Sequence, residues 1–233
     1  MPDPERPRQL PLDLGHAAGR SRDDLVVSAA NAKAVALVER WPDWPAPVVV
    51  LAGPAGSGKS HLGAIWTAAA AAAVLDVRSL GAEAIAAASA GPVFLDDADA
   101  ADRDDAGLFH LLNAARSAGT SVLLTARRFP AAWGVGLADL SSRLRAAATV
   151  EIGEPDDMLL AGVIAKLFAD RQVEVDPHVV HYLVRRIERS LATAIRVVDR
   201  LDRAALEQQS RITRGMAMDA VSALDEGQSE LDI

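Results

Sequence analysis

Residues 53–60, GPAGSGKS, combine residue types and a spacing that suit the phosphate groups of a nucleotide. They match the pattern G-x-x-x-x-G-K-[ST], with an apolar run before them and a helical pattern after them, as this pattern requires. The glycines permit a tight turn that points backbone N–H groups at phosphate oxygens. Lys59, one of three lysines in the chain, supplies a compact charge for the β- and γ-phosphates, and Ser60 supplies a hydroxyl ligand for Mg²⁺. The predicted cofactor-binding residues here are Gly53, Pro54, Ala55, Gly56, Ser57, Gly58, Lys59, Ser60 and His61.

A second group of candidate residues is the acid pair Asp96 and Asp97, which ends the apolar run of residues 93–95. We expect this run to be a strand that carries Asp96 to the carboxyl edge of a sheet, where it joins Ser60 in holding Mg²⁺. Asp97 would then polarise the water that attacks a phosphoryl group. Acids at the end of a strand are common, so this interpretation depends on the phosphate loop upstream.

The elements that must position these residues alternate between short apolar strands and helices. The candidate strands are residues 48–51, 74–77, 93–95, 121–125 and 149–152, and helical stretches include residues 31–40, 81–90 and 104–117. Short apolar strands that alternate with helices predict an α/β fold, with a mostly parallel sheet covered on both faces.

The pattern changes after Pro155, where the strands stop. Helices are predicted over residues 158–170, 177–187, 191–208 and 213–224, which indicates a separate all-α unit. We therefore predict four regions: a flexible arm (1–22), a nucleotide-binding core (23–153), a helical domain (154–225) and an acidic tail (226–233).

Composition limits the classes of function. The chain has 233 residues and a net charge of −8, which argues against strong direct binding of DNA. It has no cysteine, which excludes disulfides and cysteine-based metal sites. It shows neither a signal-peptide pattern nor an apolar run long enough to span a membrane, so we expect a cytoplasmic protein without a membrane partner.

Further stretches resemble the AAA+ ATPases and, within them, the DnaA family of replication initiators. Thr125, at the end of SVLLT, stands where AAA+ proteins place a polar sensor beside the γ-phosphate. DLSSRL, residues 139–144, resembles the box in which DnaA-type initiators carry an arginine finger, which would be Arg143. LFHLLNAAR and DDLVVSAANAKA are also similar to DnaA-family segments. The second of these lies near the adenine pocket in that family, which adds Val27 to the expected nucleotide contacts.

The resemblance covers roughly residues 23–224 and implies an AAA+ P-loop core followed by an all-α lid. It implies ADP or ATP with Mg²⁺ as ligands, and Arg143, Asp97 and Thr125 as catalytic residues. Arg145 is a nearby competitor for the role of the finger.

One lid position departs from the DnaA pattern. Aligning RSLATAIRVVDRLDRAAL with the family's lid helix puts Ala192 where the family has a sensor arginine that reaches the phosphates. Arg189 and Arg196 lie about one turn away on either side. The departure implies weak ATP hydrolysis by the chain itself and ADP held as a structural ligand.

The arm carries QLPLDL, which resembles the peptide by which replication proteins dock on the DNA polymerase sliding clamp. In such a peptide Leu12 and Leu14 enter an apolar pocket, Gln9 forms hydrogen bonds at its rim, and Pro11 limits the unbound conformations. The predicted clamp-binding residues are Gln9, Leu10, Pro11, Leu12 and Leu14.

The order of arm, AAA+ core and lid resembles the Hda family of DnaA-related regulators, because the chain stops soon after the lid and we expect no DNA-binding domain. The resemblance implies an ADP-bound regulator that docks on the clamp and supplies Arg143 to complete ATP hydrolysis on DnaA. Two alternatives remain open: an autonomous AAA+ ATPase of the helicase-loader type, and a DnaA-like protein that reaches DNA through another subunit. The sequence is compatible with either ADP or ATP as the working ligand. It is also compatible with a homo-oligomer.

Overall fold

The computed structural model describes Arg22 and residues 25–229, which divide into two compact units between Asp156 and Asp157. The first unit contains, in chain order, α1 (Ala32–Glu39), β1 (Val48–Ala52), α2 (Lys59–Ala70), β2 (Ala73–Leu75), α3 (Ala82–Ala90), β3 (Val93–Leu95), α4 (Asp105–Ala118), β4 (Val122–Ala126), α5 (Ala138–Arg145) and β5 (Ala148–Glu151). A 3₁₀ turn, Pro130–Ala132, precedes α5.

The strands form one sheet in the order β2-β3-β4-β1-β5, with every recorded pairing parallel. This confirms the predicted α/β fold. In the register, Leu51 of β1 lies beside Thr125 of β4, and Leu95 of β3 lies beside Leu124 of β4. The carboxyl ends of β3, β4 and β1 are therefore neighbours. The residues that follow these three strands are brought to one edge of the sheet.

Both faces of the sheet are buried. Val48 and Val50 of β1 belong to a core shared with α3, α4 and α5. Val49 and Leu51 belong to a core shared with α1 and α2, because successive residues of a strand point to opposite faces. Helices on both faces explain why the central strands are continuous apolar runs rather than alternating ones.

Three tryptophans meet on the α1–α2 side of the sheet. Trp66 of α2 stacks on Trp44 with ring centres 5.1 Å apart, and Trp41 meets it edge-on at 6.3 Å. The indole N–H of Trp41 donates to Ser121 Oγ (3.2 Å), and that of Trp44 donates to the carbonyl oxygen of Leu37 (2.9 Å). Trp66 belongs to the helix that begins with Lys59, so the aromatic cluster joins α2 to the segment after α1.

The second unit consists of helices: α6 (Asp157–Asp170), α7 (Pro177–Arg186), α8 (Leu191–Gln208) and α9 (Arg214–Ser229). Asp176 caps α7 by accepting from the backbone N–H of His178 (2.8 Å), and Ser190 caps α8 by accepting from that of Thr193 (3.3 Å). Apolar residues at helical spacing form the core, among them Leu160, Phe168, Leu183, Val197 and Ala220. The predicted run of helices after Pro155 is thus confirmed.

One element and two boundaries differ from the expectations by more than a residue. The helix α5 was not predicted as such. The second strand ends at Leu75 rather than Val77, because the side chain of Asp76 accepts from the N–H of Arg78 (3.0 Å) and turns the chain. Helix α9 continues to Ser229, since no proline interrupts the acidic residues after Leu224. In the part of the chain that the structure describes, no helix has the length and apolarity that a membrane crossing needs.

Candidate functional site

The phosphate loop leaves the buried end of β1 and is braced on both sides. The N–H of Gly53 donates to the carbonyl oxygen of Ala126 at the end of β4 (3.1 Å). On the other side, a Cβ at position 53 would lie 2.2 Å from the carbonyl oxygen of Ile152, which follows β5. Real Cβ atoms do not come this close to a backbone oxygen, so the loop can start here only with glycine.

The turn of the loop carries the predicted glycines in unusual backbone conformations. The angle φ is +72° at Gly56 and +96° at Gly58, a region that side chains rarely permit. Between them Ser57 is buried, and its hydroxyl has no hydrogen-bond partner among the residues that the structure describes. An unsatisfied buried hydroxyl costs about 1–3 kcal/mol. The loop therefore fits a ligand that supplies polar atoms, as a phosphate group does.

Lys59 directs its charge into this loop. The residue is 6% exposed, and its Nζ donates to the carbonyl oxygens of Gly53 (2.8 Å) and Pro54 (2.7 Å). Burial lowers the pKa of the Lys59 ammonium; the acid pair opposes this shift and the guanidinium of Arg127 adds to it. The ammonium is thus held in the loop by two carbonyls, with anionic and cationic groups close by.

The predicted metal ligands and the predicted sensor lie together. Ser60 Oγ donates to Asp96 Oδ1 (3.0 Å), and the hydroxyl of Thr125 donates to the same carboxylate oxygen. The backbone N–H of Asp97 in turn donates to Thr125 Oγ1 (3.0 Å). Thr125 is fully buried, so its hydroxyl is fixed between the two acids. The structure thus brings together the loop, the acid pair and the sensor position.

Ser60 and Asp96 have a geometry that fits Mg²⁺. This ion takes oxygen ligands at about 2.0–2.1 Å in an octahedron, which places neighbouring ligands roughly 2.9 Å apart. Ser60 Oγ and Asp96 Oδ1 are 3.0 Å apart. Within residue 22 and residues 25–229, no cluster of three or more acidic or histidine side chains could hold a metal alone. Phosphate and water oxygens would therefore have to complete such a site.

Asp97 sits in a turn that separates it from Asp96. Its φ of +51° is uncommon for a residue other than glycine, although aspartate tolerates it. The turn is secured by the Asp97 N–H on Thr125 Oγ1 and by the Ala98 N–H on the carbonyl oxygen of Thr125 (2.7 Å). Asp96 is directed inward as a result, whereas Asp97 stays exposed at the edge of the sheet.

Three residues beside the acid pair were not identified from the sequence: Asp99, Arg127 and Arg128. Asp99 is buried; its Oδ1 accepts from the N–H of Arg127 (3.0 Å), and its Oδ2 pairs with Nε of Arg128 (3.3 Å). These contacts join the loop after β3 to the loop after β4. A signal was present in the sequence, because two consecutive arginines lie almost directly after the sensor position Thr125.

The segment before α1 is bonded to the stretch that follows β5. Val27 in this segment is 44% exposed. The side chain of Asn31 holds the residues on either side of Val27: its Nδ2 donates to the carbonyl oxygen of Val26 and its Oδ1 accepts from the N–H of Ser28, both at 2.9 Å. The N–H of Gly153 donates to the carbonyl oxygen of Ala30 (3.0 Å), which ties the segment to the stretch that contacts the loop. His61 is the third residue of α2 and is partly buried. Val27 thus offers exposed apolar surface on this segment, and its contact with a nucleotide stays a prediction.

Arg143 lies elsewhere. It is partly buried on α5 and lines a cavity of about 270 Å³ with Pro47 and Val48, at the start of β1. The phosphate loop begins after the opposite end of the same strand. Arg145 is exposed, and neither guanidinium has a hydrogen bond or ion pair recorded among the described residues. The structure therefore does not bring Arg143 to the phosphate loop of its own chain.

The lid position that departs from the DnaA pattern, Ala192, is the second residue of α8. In the lid unit, Arg189 pairs with Asp157 Oδ1 (2.8 Å) and the guanidinium of Arg196 donates to Thr193 Oγ1 (3.0 Å). Both arginines thus have partners within the lid unit. The clamp-binding peptide, residues 9–14, lies outside the described residues.

Comparison with known sequences gives a match in the lid and one relative. The family model described as "Hda, lid domain" matches residues 164–216. An uncharacterized protein of Haemophilus influenzae is 27% identical over 113 residues, which cover 48% of this chain and 49% of that protein. The chain thus matches about half the length of this curated relative.

Comparison with solved structures gives a common fold. Domain III of the Thermotoga maritima replication initiation protein DnaA matches with a TM-score of 0.74 and 14% identity, over 88% of this chain and 96% of that one. The T. maritima RuvB Holliday junction branch migration motor matches at 0.71 and 18%, over 89% and 72%. AMPPCP-bound DnaA from Aquifex aeolicus matches at 0.67 and 18%, over 79% and 65%. At these identities the likeness shows the fold alone.

Proposed function

We propose that this chain, a Hda/DnaA-like AAA+ protein with an α/β core and a helical lid, regulates replication initiation by acting on DnaA. The match of the lid to the Hda model and the DnaA-like fold of the chain support a DnaA-related regulator. Acting on an initiator at the chromosome implies a cytoplasmic location.

The core is proposed to bind an adenine nucleotide with Mg²⁺. The orphaned hydroxyl of Ser57, the buried ammonium of Lys59 and the spacing of Ser60 and Asp96 support this, as does the AMPPCP-bound DnaA of the same fold. When bound, Mg²⁺ would neutralise phosphate charge at the hydroxyl and carboxylate that hold it. ADP is the proposed resting ligand, because Ala192 stands where the DnaA family has a phosphate-sensing arginine.

The arm is proposed to dock on the sliding clamp through Gln9, Leu10, Pro11, Leu12 and Leu14. An extended segment with apolar side chains at alternate positions can fill a pocket with little surface of its own. Proline within the segment lowers the conformational entropy lost on binding. Such an arm would hold the core next to DNA on which a clamp is loaded, without a DNA-binding surface on the acidic chain itself.

The observation that supports the arginine finger is the position of Arg143 relative to the phosphate loop. Arg143 shares a cavity with Val48, whereas the loop begins after Ala52. Four residue steps of a parallel strand separate these ends by roughly 13 Å. Its guanidinium is thus at the amino edge of the sheet, while the loop of the same chain is at the carboxyl edge. An arginine in this position acts on another molecule more readily than on its own nucleotide.

The proposed chemistry occurs at the nucleotide of DnaA. A guanidinium presented to a transferring phosphoryl group stabilises the charge that develops in the transition state and changes ground-state binding little. An arginine finger supplied in trans can raise the rate about 10³–10⁵-fold. Because Arg143 has no recorded partner among the described residues, its guanidinium need not break an ion pair within that part of the chain to reach a neighbour.

The test is hydrolysis of ATP by DnaA, measured with this chain, ADP, and clamp loaded on DNA. We expect Arg143→Ala to remove the stimulation while nucleotide binding, clamp binding and the melting temperature stay at wild-type values. Arg143→Lys should fail as well, because a single ammonium does not reproduce the planar fork.

Arg145→Ala is the matched control, since Arg145 lies on the same helix with the same charge and is expected to keep full stimulation. Loss of stimulation in the Arg145 variant but not in the Arg143 variants would show that the finger has been assigned to the wrong arginine. Absence of any stimulation by the wild-type chain would contradict the regulatory function itself.

A second candidate function is that of an autonomous ATPase of the helicase-loader type. The connected bonds among Ser60, Asp96, Thr125 and Asp97 favour it, because they assemble a hydrolytic arrangement within one chain. Steady-state hydrolysis by the purified chain without DnaA separates the two functions. Turnover that persists without DnaA and disappears in Asp97→Asn would favour the motor.

A further inference from the structure

A second cavity, of about 480 Å³, opens beside the acid pair. It lies past the carboxyl ends of β2, β3 and β4, and its charged lining residues are Arg78, Asp97, Asp99, Asp102, Arg127 and Arg128. Because Asp97 belongs both to this cavity and to the predicted hydrolytic site, the cavity is continuous with the place where a terminal phosphate would be attacked.

Of the three arginines that line this cavity, two form ion pairs with aspartates. Arg78 Nε pairs with Asp102 Oδ2 (2.9 Å), and Arg128 Nε pairs with Asp99 Oδ2 (3.3 Å). Arg127 is exposed, and for its guanidinium no hydrogen bond or ion pair is recorded within the described chain. The backbone of Arg127 is nevertheless fixed, since its N–H donates to the buried carboxylate of Asp99 (3.0 Å). The cavity therefore contains the guanidinium of Arg127, which has no recorded partner among the described residues, on a backbone fixed by a hydrogen bond.

This cation is close to the phosphate loop. Arg127 follows Thr125 by two residues, and it lines the cavity together with Asp97, the neighbour of the Asp96 carboxylate that the hydroxyl of Thr125 reaches. Burial is the main cause of the lowered pKa of the Lys59 ammonium, and the guanidinium of Arg127 adds to this shift, in agreement with its place beside the acid pair. Two cations thus act on the same region from different elements. An anionic group between them would be attracted by both.

We propose that Arg127 contacts the terminal phosphate of a triphosphate bound in the loop of its own chain, and thereby determines how strongly the chain distinguishes ATP from ADP. The inference rests on the nucleotide site proposed above and identifies the residue that distinguishes its two ligands. Lys59 lies inside the loop and serves both nucleotides, whereas Arg127 approaches from the acid pair and meets only the longer one. Arg127 would thus provide, from the core, the arginine contact to phosphate that the lid lacks, because Ala192 stands at the lid's sensor position.

The test compares the affinities of the full chain for Mg²⁺–AMPPCP and Mg²⁺–ADP by titration calorimetry. Loss of a charge-assisted contact corresponds to about a 10–100-fold change in affinity. We expect Arg127→Ala to weaken AMPPCP by this factor and to change ADP by less than about twofold. Arg127→Lys should restore part of the AMPPCP affinity, because the charge remains and the fork is lost.

Arg78→Ala is the matched control, since Arg78 lines the same cavity with the same charge but is paired with the exposed Asp102. It should change both affinities by less than about twofold. Melting curves without nucleotide should coincide for wild type and Arg127→Ala, because the side chain is exposed and has no recorded partner in the described chain.

The assignment of Arg127 would be overturned if Arg127→Ala weakened the binding of AMPPCP and ADP equally or weakened neither. It would also be overturned if Arg78→Ala gave the same loss of selectivity. Each of these results would leave the proposed function intact. Binding of neither nucleotide to the wild-type chain would overturn the nucleotide site and the assignment together.

Discussion

The two edges of the sheet hold their polar side chains in different ways. At the carboxyl edge, Lys59 donates to two carbonyls of its own phosphate loop, and the hydroxyls of Ser60 and Thr125 donate to the carboxylate of Asp96. At the amino edge, Arg143 lines a cavity without a recorded partner among the described residues. Groups that must receive a small ligand are positioned in advance, because misplacement by a fraction of an ångström weakens binding and catalysis. A group that acts on another macromolecule gains its geometry from the complex.

The largest effect is expected for Lys59→Ala, which removes the charge at the centre of the carboxyl edge. The wild-type chain should gain about 2.7–4.1 kcal/mol of stability at ADP concentrations 100–1,000 times the dissociation constant. The variant should gain nothing under the same conditions, as measured by thermal melting with and without Mg²⁺–ADP. Lys33→Ala on α1 is the control, because this exposed lysine lies outside the loop and should keep the full gain. An undiminished gain in Lys59→Ala would mean that the loop does not bind the phosphates.

A smaller effect is expected for Thr125→Val, which tests whether the carboxyl edge is held by its side-chain bonds. The substitution keeps the shape but removes the donor to Asp96 and the acceptor of the Asp97 N–H. Leaving these groups with one partner fewer should cost about 1–3 kcal/mol in the free energy of unfolding, measured with urea.

Thr149→Val is the control for that measurement. Thr149 lies in β5, is partly buried, and its hydroxyl has no recorded bond among the residues that the structure describes. Its replacement should change the free energy of unfolding by no more than about 0.5 kcal/mol. If both variants lost the same free energy of unfolding, the hydrogen bonds of the Thr125 hydroxyl would not be what holds the carboxyl edge.

The smallest effect on folding is expected for the arm. Replacing Gln9, Leu12 and Leu14 together by alanine should abolish binding to an immobilised clamp and shift the free energy of unfolding by less than about 0.5 kcal/mol. Asp13→Ala is the control: in an extended peptide its side chain points away from those of Leu12 and Leu14, so the clamp should still bind. A clamp affinity unchanged in the triple variant would exclude QLPLDL as the docking peptide.

Much of the carboxyl edge could be predicted from the sequence because its features are local. The phosphate loop is a contiguous pattern between a strand and a helix, and the acids directly follow a short apolar strand. The parallel sheet then requires that residues after β1, β3 and β4 meet. The spacing of Ser60, Asp96 and Thr125 follows from this topology together with the identities of the strands.

Other features could not be predicted because they depend on which groups remain unpaired after folding. Arg127 and Arg128 are adjacent in the sequence, yet Asp99 takes the side chain of one and only the backbone of the other. Whether an arginine has a carboxylate within reach is decided by loops distant in the chain. Helix α5 was missed for a related reason: its apolar residues Leu140 and Leu144 give only a short pattern, and packing on the sheet stabilises it.

The tryptophan cluster that includes Trp66 of α2 provides an intrinsic optical signal from the helix that follows the phosphate loop. Trp66 and Lys59 belong to the same helix, and the Trp66 ring lies 5.1 Å from Trp44 at an angle of 20°. Electronic coupling between stacked indoles depends steeply on their separation and tilt, so near-ultraviolet circular dichroism and emission are sensitive to small rotations of α2. The fourth tryptophan, Trp133, lies in the core on the opposite face of the sheet and supplies an internal reference. The chain thus carries the chromophores needed to follow movement of the loop-bearing helix in real time without a dye.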